Sequence, residues 1–598
     1  MSGIAWVYIM LGIYTIYCFY EGLKGFFTEK TSQGYAIAGR SIPFFAFLLA
    51  ATAASFSGWT FIGHPGLIWQ DGLSYAFASF YVLTIPITGA LFSKRTWFLG
   101  KRYGFITPGD MYAYYYNSEA IRFLVVLTSV FFSVLFTAVQ IKASAALFHI
   151  IAGVDVTYGA FFMAFIVWFY VCAGGIRASV WVGAVQCVLL VSGIIILGYY
   201  VVTGPAFGGW AGFSASMNGL DKKFLEVPRV INFGLGGAEG EVQWTAVMIL
   251  TYLFALMGIQ ASPAFTLWNF GLKSPKPLAW QQTFMSTFVV GFALFFFAAI
   301  QGMGAKILQF SGAGAFQNMN QATVVPTLMK EFLPPVLLGL VFLSAIAAIH
   351  STAAPYINTG GSILLRDIYW RHIRNQKSGD AEQIWVNRIC ATLLTGIALF
   401  VGLTSTAALV ILGALATAFG FILYILLLGI IWGFRFPSKG AVLGVISGMI
   451  VIVLTYAVWP NPLSMHCSFW GLFSGLLVSY SCRLIRIRDS EKTLKRQLEV
   501  RLFLDNIDFP SESGKRWRKA MKIAVPVWFL FAIGPACLLG NSAFSFAGFP
   551  PLWSWQIVWW TLGIILMWAL CFKSELSTVS EAQILRAEEE RMVVVKGG

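Results

Sequence analysis

Two adjacent hydroxyl residues, Ser351 and Thr352, lie in an apolar stretch, AIAAIHSTAAPYINTGGSILLRDIY, that spans residues 345–369. If the stretch is helical, its first half lies in a membrane and its closing pair, Arg366 and Asp367, meets water. Hydroxyls in an apolar helix commonly bond a carbonyl one turn back. Together with free backbone carbonyls they would instead form an oxygen cage for a small, hard cation. Both interpretations stay open on this stretch alone.

The composition excludes an ordinary soluble protein. Of the 598 residues, 58% are hydrophobic and 11% are charged, and apolar runs of about 20 residues, enough to cross a bilayer, recur along the chain. The net charge is +15, but the basic residues lie in short loops, as in membrane proteins, and predict no nucleic-acid surface. The 8 cysteines contain no CxxC pair, so neither a disulfide framework nor a zinc site is indicated.

The apolar runs predict about fifteen transmembrane helices, among them separate spans near 157–174, 179–203, 406–432 and 467–484, in a multi-pass protein of the plasma (inner) membrane. Basic residues cluster in the loops of one side, whereas the loops 204–241, 304–333 and 541–552 of the other side are nearly neutral or uncharged. The positive-inside rule therefore places the N-terminus outside and the C-terminus in the cytoplasm. The charged segment 486–520 predicts a cytoplasmic amphipathic helix against the bilayer.

Two of the predicted spans are interrupted. Ser55, Ser57 and Gly58 disfavour regular helix in the first, and Gly258 and Ser262-Pro263 do so in the second. A proline removes one backbone donor and frees a carbonyl. Each interrupted span opens a group of five, and paired broken helices in two halves indicate an inverted-repeat transporter with its site near the membrane midplane. A kink without function is the alternative for either one alone.

Four stretches carry a resemblance to a known family. They are GYAIAGRSIP (34–43), RYGFITPGDMYAYYYNSEAIR (102–122), GGIRASVWVGAVQ (174–186) and HSTAAPYINTGGSILLRDIY (350–369). In this order and spacing they resemble the sodium/solute symporter family, which includes bacterial sodium/proline and pantothenate symporters and the sodium/glucose cotransporters. The resemblance covers residues 1–485.

The resemblance implies an all-α integral membrane protein with the LeuT-type inverted-repeat fold and alternating access. It implies a secondary active transporter that imports a small organic solute with sodium as the coupling ion, not an enzyme, with no cofactor and no nucleic-acid partner. Carried over position by position, the sodium ligands would be the carbonyls of Ala53, Phe56 and Ala348 and the hydroxyls of Ser351 and Thr352.

Three positions depart from the family pattern. Acidic residues common in the family are replaced by Ser55, Gly183 and Ala354, and Pro355 follows the last of these. A cation in a low dielectric is held more weakly as nearby negative charge is removed. The departures therefore keep two alternatives open: a proton-coupled or uncoupled transporter of the same fold, and a sensory membrane domain.

Candidate substrate residues come from both interruptions and from the third helix of the first repeat. They are Ser57, Gly58, Trp59, Gln140, Lys142, Gln260 and Ser262. Lys142 has three competing interpretations, because an ionisable residue in a span either reaches the interface, pairs with an anionic substrate, or serves as a surrogate cation or proton carrier. An amino acid or a monocarboxylate is the favoured substrate class.

The sequence divides into eight parts. They are an N-terminal span and loop (1–41), a first five-helix repeat (42–203), an extracellular loop (204–242), a second five-helix repeat (243–433), two additional spans (434–485), the cytoplasmic amphipathic segment (486–520), two C-terminal spans (521–573) and a cytoplasmic tail (574–598).

Overall fold

The computed structural model describes residues 2–233, 244–405 and 409–596, and these residues are 82% helical and form no strand. Residues 234–242 of the predicted extracellular loop, 406–408 of a predicted span and 597–598 of the tail lie outside the described residues. The helices of the first half are α1 (Gly3–Thr28), α2 (Ser32–Ile37), α3 (Phe44–Ser55), α4 (Trp59–Asp71), α5 (Leu73–Tyr103), α6 (Pro108–Tyr116), α7 (Glu119–Ala152), α8 (Val156–Thr203) and α9 (Trp210–Asn218).

The second half contains fourteen further helices in its described part. They are α10 (Ala246–Ala261), α11 (Pro263–Gly271), α12 (Pro277–Phe310), α13 (Val324–Phe332), α14 (Pro335–Ile373), α15 (Asp380–Thr404), α16 (Leu409–Ile422), α17 (Tyr424–Trp432), α18 (Ser438–Ala457), α19 (Cys467–Leu484), α20 (Glu491–Ile507), α21 (Glu512–Ala532), α22 (Pro551–Lys573) and α23 (Glu581–Lys596).

Ten helices of the described chain are long and apolar enough to cross a membrane, and counting each bent pair as one span gives thirteen. The sequence predicts about fifteen, and two differences explain the gap. Helix α8 consists of two helices that meet at Gly175, where the backbone is not helical, so it covers both predicted spans 157–174 and 179–203. The predicted span 467–484 is the helix α19, which does not belong to the thirteen.

The two interruptions predicted from the sequence are bends between paired helices. Helices α3 and α4 meet at 54°, and α10 and α11 meet at 41°. The backbone is extended at Phe56 and at Ser262, and Pro263 begins the second half-helix. A proline is well suited to the first turn of a helix, where its missing N–H has no partner to lose. Each bent pair opens one group of spans, as an inverted repeat requires.

A third break lies inside α8, where Gly175 has φ +61° and ψ −149°. The carbonyls of Val171 and Cys172, one turn earlier, accept hydrogen bonds from the hydroxyl of Tyr35 at 3.1 and 2.9 Å. The guanidinium of Arg388 also donates to the carbonyl of Cys172, at 2.8 Å. Side chains from α2 and α15 therefore satisfy the carbonyls at the break.

Close helix packing organises the core around α8 and α14, which pack on each other and on α1. A β-carbon on Gly25 would lie 2.5 Å from the Cα of Gly174, and one on Gly22 would lie 2.9 Å from the Cα of Tyr170. Small residues permit this approach of α1 to α8 and so raise the van der Waals contact that holds membrane helices together.

The segment 486–520, predicted to lie on the bilayer, is also bound to the rest of the protein by ion pairs. Helix α20 ends next to Asp508, whose side chain is 2% exposed. Its carboxylate pairs with the Lys94 ammonium and the Arg95 guanidinium at the end of α5, both at 2.6 Å. Lys94 also donates to the carbonyls of Glu575 and Thr578. The C-terminal part of the chain is thus ion-paired to α5.

Replacing Gly175 with valine should destabilise the protein, because a β-carbon there meets the carbonyl of Tyr35 at 2.5 Å and φ is positive. We expect a loss of about 1–3 kcal/mol, seen as a lower melting temperature in detergent. Gly396→Ala is the control, since Gly396 is helical with nothing within 4 Å. It should be neutral or stabilise by up to about 1 kcal/mol. Equal melting temperatures for the two variants would contradict the account.

Candidate functional site

All five predicted sodium ligands belong to two segments that touch at the first break. The Ser351 hydroxyl lies 2.9 Å from the carbonyl of Ala53 at the end of α3 and 2.9 Å from the carbonyl of Ala348 one turn back. Ala53 also accepts from the backbone N–H of Phe56, at 3.2 Å. All these residues are buried. The structure therefore joins the α3 break to α14 through one hydroxyl and two carbonyls.

Thr352 and Pro355 add two further oxygens to this region. The Thr352 hydroxyl is fully buried and has no hydrogen-bond partner in the described part of the chain. Pro355 lies inside α14 and has no N–H, so the carbonyl of Ser351, four residues earlier, lacks its usual helical donor. Buried oxygens without donors are uncommon and are accounted for by a ligand or by ordered water.

The three positions without acids lie in close packing near the same break. A β-carbon on Gly183 would lie 3.1 Å from the Cβ of Ala50, so a carboxylate there would require α3 and α8 to move apart. The Ser55 hydroxyl donates to the carbonyl of Ala51 at 3.0 Å, and Ala354 is buried. The oxygens around Ser351 are therefore hydroxyl and carbonyl oxygens.

The substrate candidates of the first break contact the third helix of the first repeat. The N–H of Gly58 donates to Gln140 Oε1 at 3.0 Å. A β-carbon on Gly58 would lie 2.5 Å from Ile349 Cγ1, so only glycine allows this approach. The Ser57 hydroxyl accepts from the N–H of Trp59 at 3.1 Å. Ser57, Gly58, Trp59 and Gln140 are thus brought together.

Gln260 and Ser262, from the second break, are buried, and Gln260 Oε1 has no partner among the described residues. The Ser262 hydroxyl lies within hydrogen-bonding reach of the Tyr356 hydroxyl. A β-carbon on Gly89 would overlap the Gln260 carboxamide, which therefore faces α5. Among the described residues, no hydrogen bond joins Gln260 or Ser262 to Gly58.

Sequence reasoning missed an aromatic group beside the second break. The ring of Tyr356 lies 4.9 Å from Phe132 and 5.0 Å from Phe136, centroid to centroid, and all three pack with Ala264 of α11. The Tyr356 hydroxyl is buried, and its hydrogen-bonding neighbour is the Ser262 hydroxyl of the second break. Tyr356 is four residues after Thr352, so both side chains lie on the same face of α14. This spacing is the signal in the sequence that could have identified Tyr356.

Lys142 lies on a different face of α7 from Gln140. Two residues along a helix turn the side chain by about 200°, and the Lys142 ammonium donates to the carbonyl of Ser405 at the end of α15, 2.9 Å away. A cation is favourable at the C-terminus of a helix, because the last carbonyls carry a partial negative charge. Its role as a substrate ligand stays a prediction.

The far end of α14 contradicts one expectation. We expected Asp367 to meet water, but its side chain is 0% exposed and pairs with the Arg122 guanidinium of α7. Arg122 also pairs with Asp110 at 3.0 Å and with Glu119 at 2.9 Å. Burial opposes ionisation of Asp110, but Arg366 and Arg122 hold the pKa of its carboxyl below the ordinary value. Tertiary packing buries a helix end that its sequence makes polar.

The sequence pattern of the sodium:solute symporter family matches residues 35–448. The chain belongs to this family. A sodium/pantothenate symporter of Haemophilus influenzae is 25% identical over 456 residues, which are 74% of this chain and 86% of that protein. A sodium/glucose cotransporter of Vibrio parahaemolyticus is 26% identical over 488 residues, which are 78% and 87% of the two chains.

The fold is similar to that of a solved Na⁺-coupled sialic acid symporter in a substrate-bound outward-open state. The match has a TM-score of 0.69 at 16% identity and covers 81% of this chain and 99% of that chain. The protein thus has the predicted LeuT-type fold, and it is a multi-pass member of a transporter family. The family match ends before the last helices, so α19 to α23 lie outside it.

Arg122→Gln should leave the buried Asp367 charge unpaired and destabilise the protein by about 3–5 kcal/mol. Arg122→Gln/Asp367→Asn removes both charges and should recover much of this loss. Arg371→Gln, which breaks a pair with the half-exposed Glu119, is the control and should cost less than about 1 kcal/mol. Unfolding in detergent measures all three. A double variant no more stable than Arg122→Gln would show that the pair is not the cause.

Proposed function

We propose that the protein imports a small organic solute by sodium-coupled symport with alternating access. The observation that carries the proposal is the Ser351 hydroxyl, which spans the carbonyls of Ala53 and Ala348. A sodium ion in this place would take these two carbonyls, the hydroxyls of Ser351 and Thr352, and the carbonyl of Phe56. Family membership supports sodium as the coupling ion.

The chemistry of these oxygens suits a monovalent cation. Sodium is a hard ion and prefers oxygen ligands, and neutral carbonyls and hydroxyls replace its water without a buried negative charge. The ion would also bind two elements at once, since Ala53 ends α3 and Ser351 lies in α14. Binding would therefore favour the conformation in which these elements are close, which links the ion to the transport cycle.

The substrate is proposed to bind between the two breaks, in contact with Ser57, Gly58, Trp59, Gln140, Gln260 and Ser262. Gln140 Nε2 and Gln260 Oε1, both without partners in the described chain, supply hydrogen-bonding capacity, and the Ser262 hydroxyl lies beside that of Tyr356. The half-helix α11 begins at Pro263, and N-terminal amides of such a half-helix favour a carboxylate. An amino acid or a monocarboxylate fits this combination, and pantothenate, the substrate named for one relative, is a monocarboxylate to test first.

The proposed orientation has the N-terminus outside and the C-terminus in the cytoplasm, and the proposed membrane is the plasma (inner) membrane. The ends of α5 and α14 that carry Arg95 and Arg366, and the linker after α17 that carries Arg435, would then face the cytoplasm, as the positive-inside rule requires.

A proton-coupled or uncoupled transporter of the same fold is the second candidate. The observation that favours it is the absence of acids at Ser55, Gly183 and Ala354, together with the close packing of Gly183 on Ala50. A sensory membrane domain is a third possibility. It would bind a solute without moving it, so uptake into proteoliposomes separates it from both transporters.

Sodium should stabilise the purified protein, because a ligand that binds only the folded state shifts unfolding by mass action. At a sodium concentration about 100 times the dissociation constant the gain is about 2.7 kcal/mol, which raises the melting temperature by a few degrees. Choline or potassium replaces sodium at constant ionic strength. Ser351→Ala/Thr352→Ala should abolish the sodium effect.

The matched control is Ser192→Ala/Thr203→Ala, whose hydroxyls only bond carbonyls of their own helix at 2.8 Å. It should keep the sodium effect. Sodium stabilisation that survives in Ser351→Ala/Thr352→Ala would place the ion elsewhere. No sodium effect in the wild type would favour the proton-coupled or uncoupled candidate, and uptake would then be driven by a proton gradient.

Lys142→Gln should retain uptake of labelled pantothenate, or of whichever amino acid or monocarboxylate the wild type takes up, to within about fivefold. The reason is that the ammonium bonds the carbonyl of Ser405, on a different face of α7 from Gln140, so losing it costs stability, about 1.5–3 kcal/mol for a bond from a charged group, rather than a substrate contact. Gln140→Ala, which removes the acceptor of the Gly58 N–H, should reduce uptake much more. Lost uptake in a folded Lys142→Gln variant would instead support Lys142 as the ligand of an anionic substrate.

A further inference from the structure

An arginine-lined cavity of about 380 Å³ lies outside the transport site, where the linker between α17 and α18, the end of α19 and the helix α20 meet. Four guanidinium groups line it, and Asp489 is its one carboxylate in the described chain. The lining arginines are Arg435, Arg483, Arg488 and Arg501. Arg483 lies in the last turn of α19, and Arg435 precedes α18, so the cavity is at one boundary of the membrane.

The positive charge of this cavity is largely uncompensated. Asp489 already accepts hydrogen bonds from the Ser438 N–H at 2.8 Å and from the Gln497 amide at 3.3 Å. Within the described residues, Arg435, Arg483 and Arg488 form no ion pair, and Arg501 has one ion pair, with Asp505 at 3.8 Å, and donates to the carbonyl of Gly433 at 3.4 Å. Guanidinium groups that converge on one cavity are the preferred partners of phosphate.

Helix α20 presents an exposed apolar stripe beside these arginines. Leu494, Leu498 and Leu502 follow one another at intervals of four residues, and they are 53%, 57% and 53% exposed. Leu494 and Leu498 also line the cavity. On a helix this stripe is opposite the buried face formed by Val500 and Leu504. The exposed stripe is therefore not needed for packing α20 on the protein.

Apolar side chains also surround the arginines outside α20. Leu484 and Ile485, between Arg483 and Arg488, are 64% and 71% exposed, and Phe434, next to Arg435, is 52% exposed. Alternating guanidinium groups and exposed apolar side chains at the end of a membrane helix match the boundary between lipid headgroups and acyl chains.

We propose that this cavity binds an anionic phospholipid of the adjacent leaflet. The lipid phosphate contacts Arg435, Arg483 and Arg488, and the acyl chains lie along Leu484 and the α20 leucine stripe. A soluble phosphate satisfies the arginines but leaves the leucines exposed, which is why the occupant is a lipid. Asp508, directly after α20, is ion-paired to Lys94 and Arg95 of α5. A lipid bound to α20 therefore also stabilises this part of α5. The proposal does not depend on sodium coupling.

The test titrates the full chain, purified in neutral detergent, with phosphatidylglycerol or phosphatidylcholine and follows the melting temperature and the lipid retained in native mass spectra. Phosphatidylglycerol should bind and stabilise the wild type, and phosphatidylcholine should not. Arg435→Gln/Arg483→Gln/Arg488→Gln should bind phosphatidylglycerol at least about tenfold more weakly. The control Lys439→Gln/Arg486→Gln/Lys495→Gln removes the same charge from exposed neighbours that do not line the cavity, and it should bind like the wild type.

Two further experiments test whether the occupant is a lipid and not a soluble phosphate. Leu494→Ser/Leu498→Ser, which changes only exposed side chains and keeps every charge, should also weaken phosphatidylglycerol binding. Inorganic phosphate and glycerol 1-phosphate should not replace the lipid. If the two charge-reduced triple variants bind phosphatidylglycerol equally well, the lipid is attracted by general surface charge and not by the cavity, and the proposal is wrong. Equal stabilisation by the soluble phosphates, or by phosphatidylcholine, would overturn the anionic lipid as the occupant.

Discussion

Backbone groups released by helix breaks within the membrane must find partners, and much of this structure follows from that constraint. A bilayer interior has no water to satisfy a free carbonyl or N–H. At the first break Ser351 reaches the Ala53 carbonyl and Gln140 accepts the Gly58 N–H. Between the two predicted spans of α8, at the Gly175 break, the Tyr35 hydroxyl bonds two carbonyls in the same way. The side chains that satisfy each break come from other helices, so the breaks also hold the helices together.

The same constraint explains why a cation site is possible without carboxylates. A break supplies carbonyl oxygens, and a nearby hydroxyl can turn its lone pairs toward an ion or its proton toward a carbonyl. The protein therefore contains a set of neutral oxygens whose hydrogen bonds can be exchanged for bonds to sodium. Removing acids weakens the attraction for the ion, which lowers affinity but leaves the geometry of the site intact.

Charges at the ends of the helices fall into two groups with different roles. Buried pairs such as Arg122–Asp367 and Lys94–Asp508 tie helices to one another, because an unpaired buried charge is strongly unfavourable. The arginines of the cavity beside α20 are exposed and largely unpaired in the described chain, so they remain available to an anion. Three of these four arginines, Arg483, Arg488 and Arg501, lie beyond the family match.

The sequence alone was sufficient for the class of the protein, the approximate spans and the two broken helices, because apolar length, Gly, Ser and Pro act locally. The four motifs were sufficient for the family. Tertiary structure decided which side chains meet: Ser351 with Ala53, Tyr35 with Val171, and Lys142 with Ser405 rather than with Gln140. It also buried Asp367, which we expected from the sequence to meet water. The sequence could not show this burial, because the partner Arg122 is 245 residues away along the chain. Contacts of this range depend on helix packing, and no local pattern encodes them.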